Sequence, residues 1–405
     1  LGEREIKKMK TVAIICEYNP FTNGHLYHLK KAREDTGADT VICIMSGSFT
    51  QRGEAAVLDK YQRAEIAARM GADMVIELPL LYSISPADNF AYGAVKIISV
   101  LPGIEYLSFG SERGEIEPLV KTARFLENEP LEYKNLLASF RKEGYSFPKS
   151  RSLALAEYAK SYPEYLDVAD ILDKPNNSLA ISYIQALDAQ GLTNIKLHTV
   201  KRESDYNSDD ITSPYPSATA IRSAIRREEL NKVKDKVPPL CYNFLKEIKT
   251  SGTPLGDMCL FKLKDMSGYD LEHYYDVNGG LHNRLKLAAM NAVTYEQFLD
   301  NAKTKKYTMA RLKRLSLYAL FDITQEFYDE SSKLSPYVYV LAMRRDRKDI
   351  LAELNKTCDN VLVKYSDIDK ADKSLRAMIK LDFKAQGVLY IINRSTYFNR
   401  KMILV

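Results

Sequence analysis

The sequence predicts an α/β fold: a parallel sheet covered on both faces, interrupted by a helical insertion and followed by a mostly helical C-terminal half with a small α/β tail. Three observations predict it. Short unbroken apolar runs alternate with helix-length amphipathic stretches through residue 110, the pattern of βαβ units. From Ile116 to Gln190 the texture turns helical, punctuated by Pro130, Pro148, Pro163 and Pro175. Beyond Pro238-Pro239, which reads as a boundary, the apolar period is mostly 3.6.

The elements follow in order. Val12 to Cys16 is an apolar β-type run, followed by the loop Asn19-Pro20-Phe21-Thr22-Asn23-Gly24 and a helix that His25 opens. Thr40 to Gly47 is a second buried strand, Asp59 to Met70 an amphipathic helix, and Met74 to Leu78 a strand stopped by Pro79. Ala87 to Val100 reads as a helix and Ile104 to Phe109 as the next strand. After the insertion, Asn194 to Arg202 returns to strand character, and Ser217 to Arg227 is a helix with Ser217 as its N-cap. Helices are expected at Leu281 to Met290, Tyr295 to Lys303 and Met309 to Phe321. The tail supplies strands at Val338 to Met343, Val361 to Tyr365 and Val388 to Ile392. Two domains, 9–235 and 236–405, are the simplest organisation.

Composition narrows the class. The chain has 405 residues, 45% hydrophobic and 27% charged, which suits a globular enzyme or binding protein. No apolar run approaches the roughly 18 residues a membrane-spanning helix needs. Leu1 to Lys8 are charged and precede Met9, which reads as a natural start, so they are set aside as an upstream tail. Cys16, Cys43, Cys241, Cys259 and Cys358 form no CxxC pair and no grouping with the histidines, which predicts a reducing cytoplasmic setting and no metal site. A net charge of +5 is mild for this length; only its concentration can point to a polyanion.

No G-x-x-x-x-G-K-[ST] occurs, and no G-x-G-x-x-G follows the first strand, which excludes the commonest phosphate loops. Thr22-Asn23-Gly24-His25 stands there instead. Gly24 lets backbone approach a phosphate, and the following helix N-terminus presents free N–H groups to it. His25 can donate to an α-phosphate and stabilise charge growing there, with His28 three residues on along the same face. The plain alternative is a capped helix with locally bonded histidines. Placement directly after the first strand favours the nucleotide site.

Other segments carry paired readings. Gln51 and Arg52, in Ser46 to Gly53, belong to a ligand crevice or to an ordinary βα connection. In Pro175-Asn176-Asn177 an amide either reads a nucleotide or caps a helix. Arg202 and Arg222 neutralise a triphosphate or pair on the surface. The run Lys303 to Arg314 contains Lys303, Lys305, Lys306, Arg311, Lys313 and Arg314 with no acid; it is a polyanion platform or a solvated face. Arg344-Arg345-Asp346-Arg347-Lys348 extends the same choice.

Thr-x-Gly-His after a first strand, with Pro216-Ser217-Ala218-Thr219-Ala220-Ile221-Arg222 downstream, resembles the paired [HT]-x-G-H and I-S-S-T-x-I-R signatures of the nucleotidyltransferase superfamily. EYNPFTNGHLYH, SGSFTQRGEAAVLDKYQRAEIAARMGADMVIELP, SFGSE, KPNNSLAISYI and SATAIR together are similar to the bacterial tRNA(Met) cytidine acetate ligase family, from Met9 into the C-terminal half. The resemblance implies a Rossmann-like nucleotidyltransferase domain at 9–235 and a tRNA-binding domain at 236–405. It implies ATP contacts along Ile15, Cys16, Glu17, Tyr18, Asn19, Pro20, Phe21, Thr22, Asn23, Gly24, His25, Leu26, Tyr27 and His28. Gly110, Asn177, Arg202, Ser217 and Thr219 join them, with His25, Thr22 and Arg222 as the catalytic set. Thr22 stands where some members carry histidine, which leaves the role of that position open.

The implied reaction has two steps. Acetate attacks the α-phosphorus of ATP, expected with Mg²⁺, and releases pyrophosphate; N4 of the wobble cytidine of elongator tRNA(Met) then attacks acetyl-adenylate and expels AMP. For this the base leaves its stack. Two rivals remain: a nucleotidyltransferase acting on a small phosphorylated metabolite, and a non-catalytic RNA-binding protein gated by nucleotide.

Overall fold

The computed structural model describes residues 9–202, 210–248, 254–394 and 399–405; the tail set aside above lies outside them. The sheet order is β5-β4-β1-β2-β3-β6-β7, with β8 beside β6. The strands are β1 Thr11–Cys16, β2 Thr40–Ser46, β3 Met74–Leu78, β4 Ile104–Ser111, β5 Lys196–Lys201, β6 Val338–Met343, β7 Val361–Leu362 and β8 Ile403–Leu404. β5, β4, β1, β2 and β3 run parallel. β2, β3 and β6 are buried along their whole length, as unbroken apolar runs between two helical layers must be.

The helices that matter for the site are α1 Asn23–Thr36, α2 Lys60–Arg69, α3 Ala87–Ile98, α4 Pro175–Ala189, α5 Ala218–Arg226, α6 Met309–Phe321 and α7 Arg376–Asn393. α1 begins in a capping box and ends at Gly37, whose φ of 60° is the left-handed conformation that stops a helix. The insertion between β4 and β5 holds helices at Ile116–Glu127, Leu131–Lys142 and Phe147–Ser161 before α4 returns to the sheet. It closes on its own aromatic cluster, Phe125, Tyr133, Tyr158 and Tyr165. Among the described residues no helix is long and apolar enough to cross a membrane.

Two sequence expectations meet a different structure. Val388 to Ile392 is the end of α7, not a strand: Ala385 and Leu389 face the core at helical spacing, and a β-branched run of this length does not distinguish the two periods. The division at 235/236 does not divide the sheet. β6 joins β3 antiparallel, pairing Met74 with Met343 and Ile76 with Val340, so the C-terminal tail completes the N-terminal sheet. Beneath that junction Lys60 and Glu77 form a fully buried ion pair at 2.6 Å, flanked by the rings of Tyr339 and Phe383. Asp382 of α7 accepts from the Leu80 amide at 2.7 Å and from the Tyr337 hydroxyl.

Candidate active site

Parallel strands leave their carboxyl ends facing one crevice, and here β1, β4 and β5 open onto a cavity of about 540 Å³. Its floor is Ile15 to Asn19, one wall is α1, and the start of α5 and the β2–α2 loop supply others. Tyr183 and Leu179 of α4 close the apolar side.

At the head of α1, Thr22 Oγ1 accepts the His25 amide at 3.3 Å, and His25 Nδ1 accepts the Thr22 amide at 3.0 Å. With Nδ1 occupied as an acceptor, the proton of the neutral ring sits on Nε2. Burial, then the charges of Arg202, His28 and Arg222, holds the His25 imidazole down to about 3, against the pull of the Pro20 carbonyl. His25 is therefore a neutral donor at neutral pH, its ring packed between Tyr18 and Phe21. Thr22 acts through the cap: it orients that ring as well as lining the cavity.

The two sequence motifs touch. Arg222 Nη1 donates to the Asn19 carbonyl at 2.7 Å and Nη2 to Thr219 Oγ1 at 3.2 Å, which ties α5 to the loop after β1. Arg222 and Thr219 line the cavity, whereas Ser217 is spent as the α5 N-cap, accepting the Ala220 amide at 3.0 Å. Arg202 follows β5 and lies across Gly110; a Cβ at 110 would come within 3.3 Å of the Arg202 side chain, so glycine there lets the guanidinium reach the cavity.

Of the remaining expected contacts, Ile15, Cys16, Glu17, Tyr18, Asn19, Gly24, Tyr27 and His28 line the cavity. Pro20, Phe21, Asn23, Leu26 and Asn177 do not. Phe21 is core, and Asn23 donates to the carbonyl of Asp235. Asn177 is buried with Oδ1 accepting from the amides of Glu112 and Arg113 at 2.9 and 3.0 Å, so it holds the turn after β4. It is not the cap of α4 either, since that helix starts at Pro175; Asn176 and Ser178 reach the wall instead.

Gln51 and Arg52 lie on the cavity. Their loop is held from both sides: the Gln51 amide donates to Glu17 Oε1 at 2.7 Å, and Arg314 of α6 donates to the Gln51 carbonyl at 3.2 Å. Lys313 pairs with Glu54 at 2.6 Å, and Glu54 also faces Arg222 at 3.6 Å. Nothing in the spacing of residues 309–321 signals that this helix supports the site.

The basic run accordingly splits. Lys303, Lys305 and Lys306 are exposed, Lys305 lying over the ring of Tyr145. Arg311 is bound to Asp276 at 2.8 and 3.0 Å, Lys313 to Glu54, and Arg314 is buried. Internal carboxylates, Asp276 and Glu54, pair with the charges of Arg311 and Lys313 at the start of α6. Arg344 and Arg347 likewise surround the buried Asp73, together with Arg33.

A Thr-x-Gly-His cap, a facing S-x-T-x-I-R helix and convergent arginines at the carboxyl end of a parallel sheet define a nucleotidyltransferase-class site. A family profile described as HIGH Nucleotidyl Transferase matches residues 9–402. The tRNA(Met) cytidine acetate ligase of Clostridium novyi is 35% identical over 96% of this chain and 97% of its own. That of Caldicellulosiruptor bescii is 39% identical over 87% and 86%. A crystal structure of Thermotoga maritima TmcAL, apo form I, superposes with a TM-score of 0.89 at 33% identity, covering 98% of this chain and all of the other. A second, bound with alpha-thio ATP, gives 0.87 at 32% over the same shares. The chain belongs to the tRNA(Met) cytidine acetate ligase family.

Proposed function

We propose that this protein is an ATP-dependent acetate ligase that forms N4-acetylcytidine at the wobble position of elongator tRNA(Met). The observation that carries the reading is the convergence of a neutral His25, with its proton on Nε2, and the guanidinium groups of Arg202 and Arg222 on one cavity. Its volume of about 540 Å³ falls in the ligand-site range of roughly 300–1,000 Å³. The bound nucleotide of the superposable Thermotoga structure supports ATP as the occupant.

Acetate attacks the α-phosphorus while His25 Nε2–H and the α1 N-terminus stabilise the charge that grows on the phosphoryl oxygens, and pyrophosphate leaves. Arg202 and Arg222 hold the triphosphate in line. The cytidine amine then attacks the acetyl carbonyl and AMP departs. Mg²⁺ is expected to enter on the triphosphate: among the described residues no group of three or more His, Cys, Asp or Glu is placed to hold a metal, so phosphate and water would supply its ligands. Within the run 303–314, Lys303, Lys305 and Lys306 are the exposed lysines proposed to face tRNA. Substrates of this kind imply a cytoplasmic site of action.

Incubation with ATP, labelled acetate and bulk tRNA, followed by nucleoside analysis, tests the reading. Labelled N4-acetylcytidine is the expected product. Acetate-independent transfer of AMP to a phosphorylated metabolite, with no labelled RNA, would refute it. His25→Ala is expected to lower acetylation by at least about 100-fold with tRNA affinity unchanged; retained acetylation would remove His25 from the catalytic set.

A further inference from the structure

A chain of polar side chains runs from His28 on the cavity wall to solvent. His28 lines the cavity, and its Nε2 lies 2.9 Å from Ser108 Oγ on β4. Ser108 is fully buried, and its Oγ lies 2.9 Å from His198 Nδ1 on β5. His198 Nε2 lies 3.4 Å from Asp35 Oδ2, near the end of α1, where the carboxylate side chain is 42% exposed. Ser108 and His198 are register partners, so the pleat itself sets the middle of the chain.

Hydrogen-bond accounting orients every link. A carboxylate only accepts, so His198 carries its proton on Nε2 and accepts from Ser108 O–H through Nδ1. Ser108 then accepts from His28 Nε2–H, which leaves the His28 Nδ1 lone pair open; among the described residues nothing bonds to it. Burial, with His198 and Arg202, holds His28 down to about 3, hence neutral.

The two half-reactions differ in one respect that such a chain can serve. Acetate is already an anion, so its attack on phosphorus releases no proton. Amine attack does: the N–C bond forms, the carbonyl carbon–oxygen bond to AMP breaks with its electron pair on AMP, and N4 must lose a proton. Glu17 is the carboxylate on the floor: burial raises its pKa above the ordinary carboxylate range, against the Gln51 amide that donates to Oε1 and the charges of Arg222, Arg63 and Arg52, so it is the rival acceptor for that proton.

Resting on the function proposed above, we propose that His28 Nδ1 takes the N4 proton during acetyl transfer. In the same step His28 Nε2–H passes to Ser108, Ser108 O–H to His198 Nδ1, and His198 Nε2–H to Asp35 and solvent.

Ser108→Ala breaks the chain without touching the cavity wall. His198→Gln keeps an acceptor for the Ser108 hydroxyl but has no second nitrogen to hand a proton on. Both full-length variants, with Glu17→Gln beside them, are read in acetate-dependent pyrophosphate–ATP exchange and in single-turnover acetylation of tRNA(Met). The expected result is exchange, with its KM for acetate, within about threefold of wild type, and acetyl transfer slowed at least about 10-fold. Unchanged transfer, equal loss of both half-reactions, or a raised acetate KM with normal transfer would overturn the relay. Slow transfer in Glu17→Gln alone would give the proton to Glu17. Absence of both half-reactions in the wild type would instead overturn the functional reading itself, and the relay with it.

Discussion

His25 and His28 share a helix face and a depressed basicity, and the sign of its effect on stability is fixed by linkage. Each sits at about 3 in the folded protein against an ordinary value near 6.5. Between those values the unfolded chain binds protons that the folded chain refuses, so this contribution to stability is intact above about pH 6.5 and is lost progressively as pH falls toward 3. Comparison with a variant removes the opposing contributions of raised carboxyls elsewhere. Thermal midpoints of wild type and His28→Gln, followed from pH 7 to pH 5, are expected to converge, because only the wild type carries this penalty at position 28. Parallel curves would show that His28 titrates normally. Both histidines are visible in the sequence, but their neutrality is not. It arises first from burial and then from nearby charge, including Arg202, which is 174 or more residues away along the chain and follows β5 at its carboxyl end.

At the scale of elements, α6 fixes the β2–α2 loop, and Gly53 is where the two backbones meet. Gly53 has φ of +73°, and a Cβ there would lie 2.7 Å from the Arg314 amide nitrogen. Gly53→Ala must therefore strain the turn and push the loop from the helix. A loss above about 1 kcal/mol in urea unfolding is expected, with a raised KM for ATP as Gln51 and Arg52 shift. Unchanged stability would mean that the loop is not anchored. Removing the Arg314 guanidinium, as in Arg314→Leu, leaves the Gln51 carbonyl without that donor and is expected to cost about 1–3 kcal/mol by the same measurement. The strands and the helices of the βα units were legible because buried parallel strands read as unbroken apolar runs. α6 was legible as a helix from its inward Leu312, Leu315 and Ala319, but its cationic residues read as a surface because their carboxylate partners, Asp276 and Glu54, lie far off in sequence.

For the whole molecule, the C-terminal half both completes the sheet and carries the exposed lysines. A chain ending at residue 235 would present the β3 edge and leave Lys60 and Glu77 without the cover of Tyr339 and Phe383. Such a fragment is expected to aggregate or to lack cooperative unfolding, checked by calorimetry; a sharp reversible transition would establish an independent N-terminal domain. Charge reversal separates RNA contacts from internal pairs. Lys305→Glu with Lys306→Glu should weaken tRNA binding and lower the slope of log affinity against log salt by about 1 per lost phosphate contact, at unchanged melting temperature. Arg311→Glu should lower the melting temperature instead, since it sets a carboxylate against Asp276.

The sequence by itself determined the α/β class, the order of the βα units, the Thr22–His25 cap and its SATAIR partner, because each is local: a period, a cap, a turn of four residues. Even the family resemblance rested on such segments. The tertiary structure alone decided which cations of the basic run are paired internally, that Asn177 holds backbone while Asn176 faces the cavity, and that β6 joins β3 in the sheet. Those outcomes depend on pairings across long stretches of chain, where an ion pair or a strand edge is satisfied by whatever the fold brings beside it, and no local pattern records that partner.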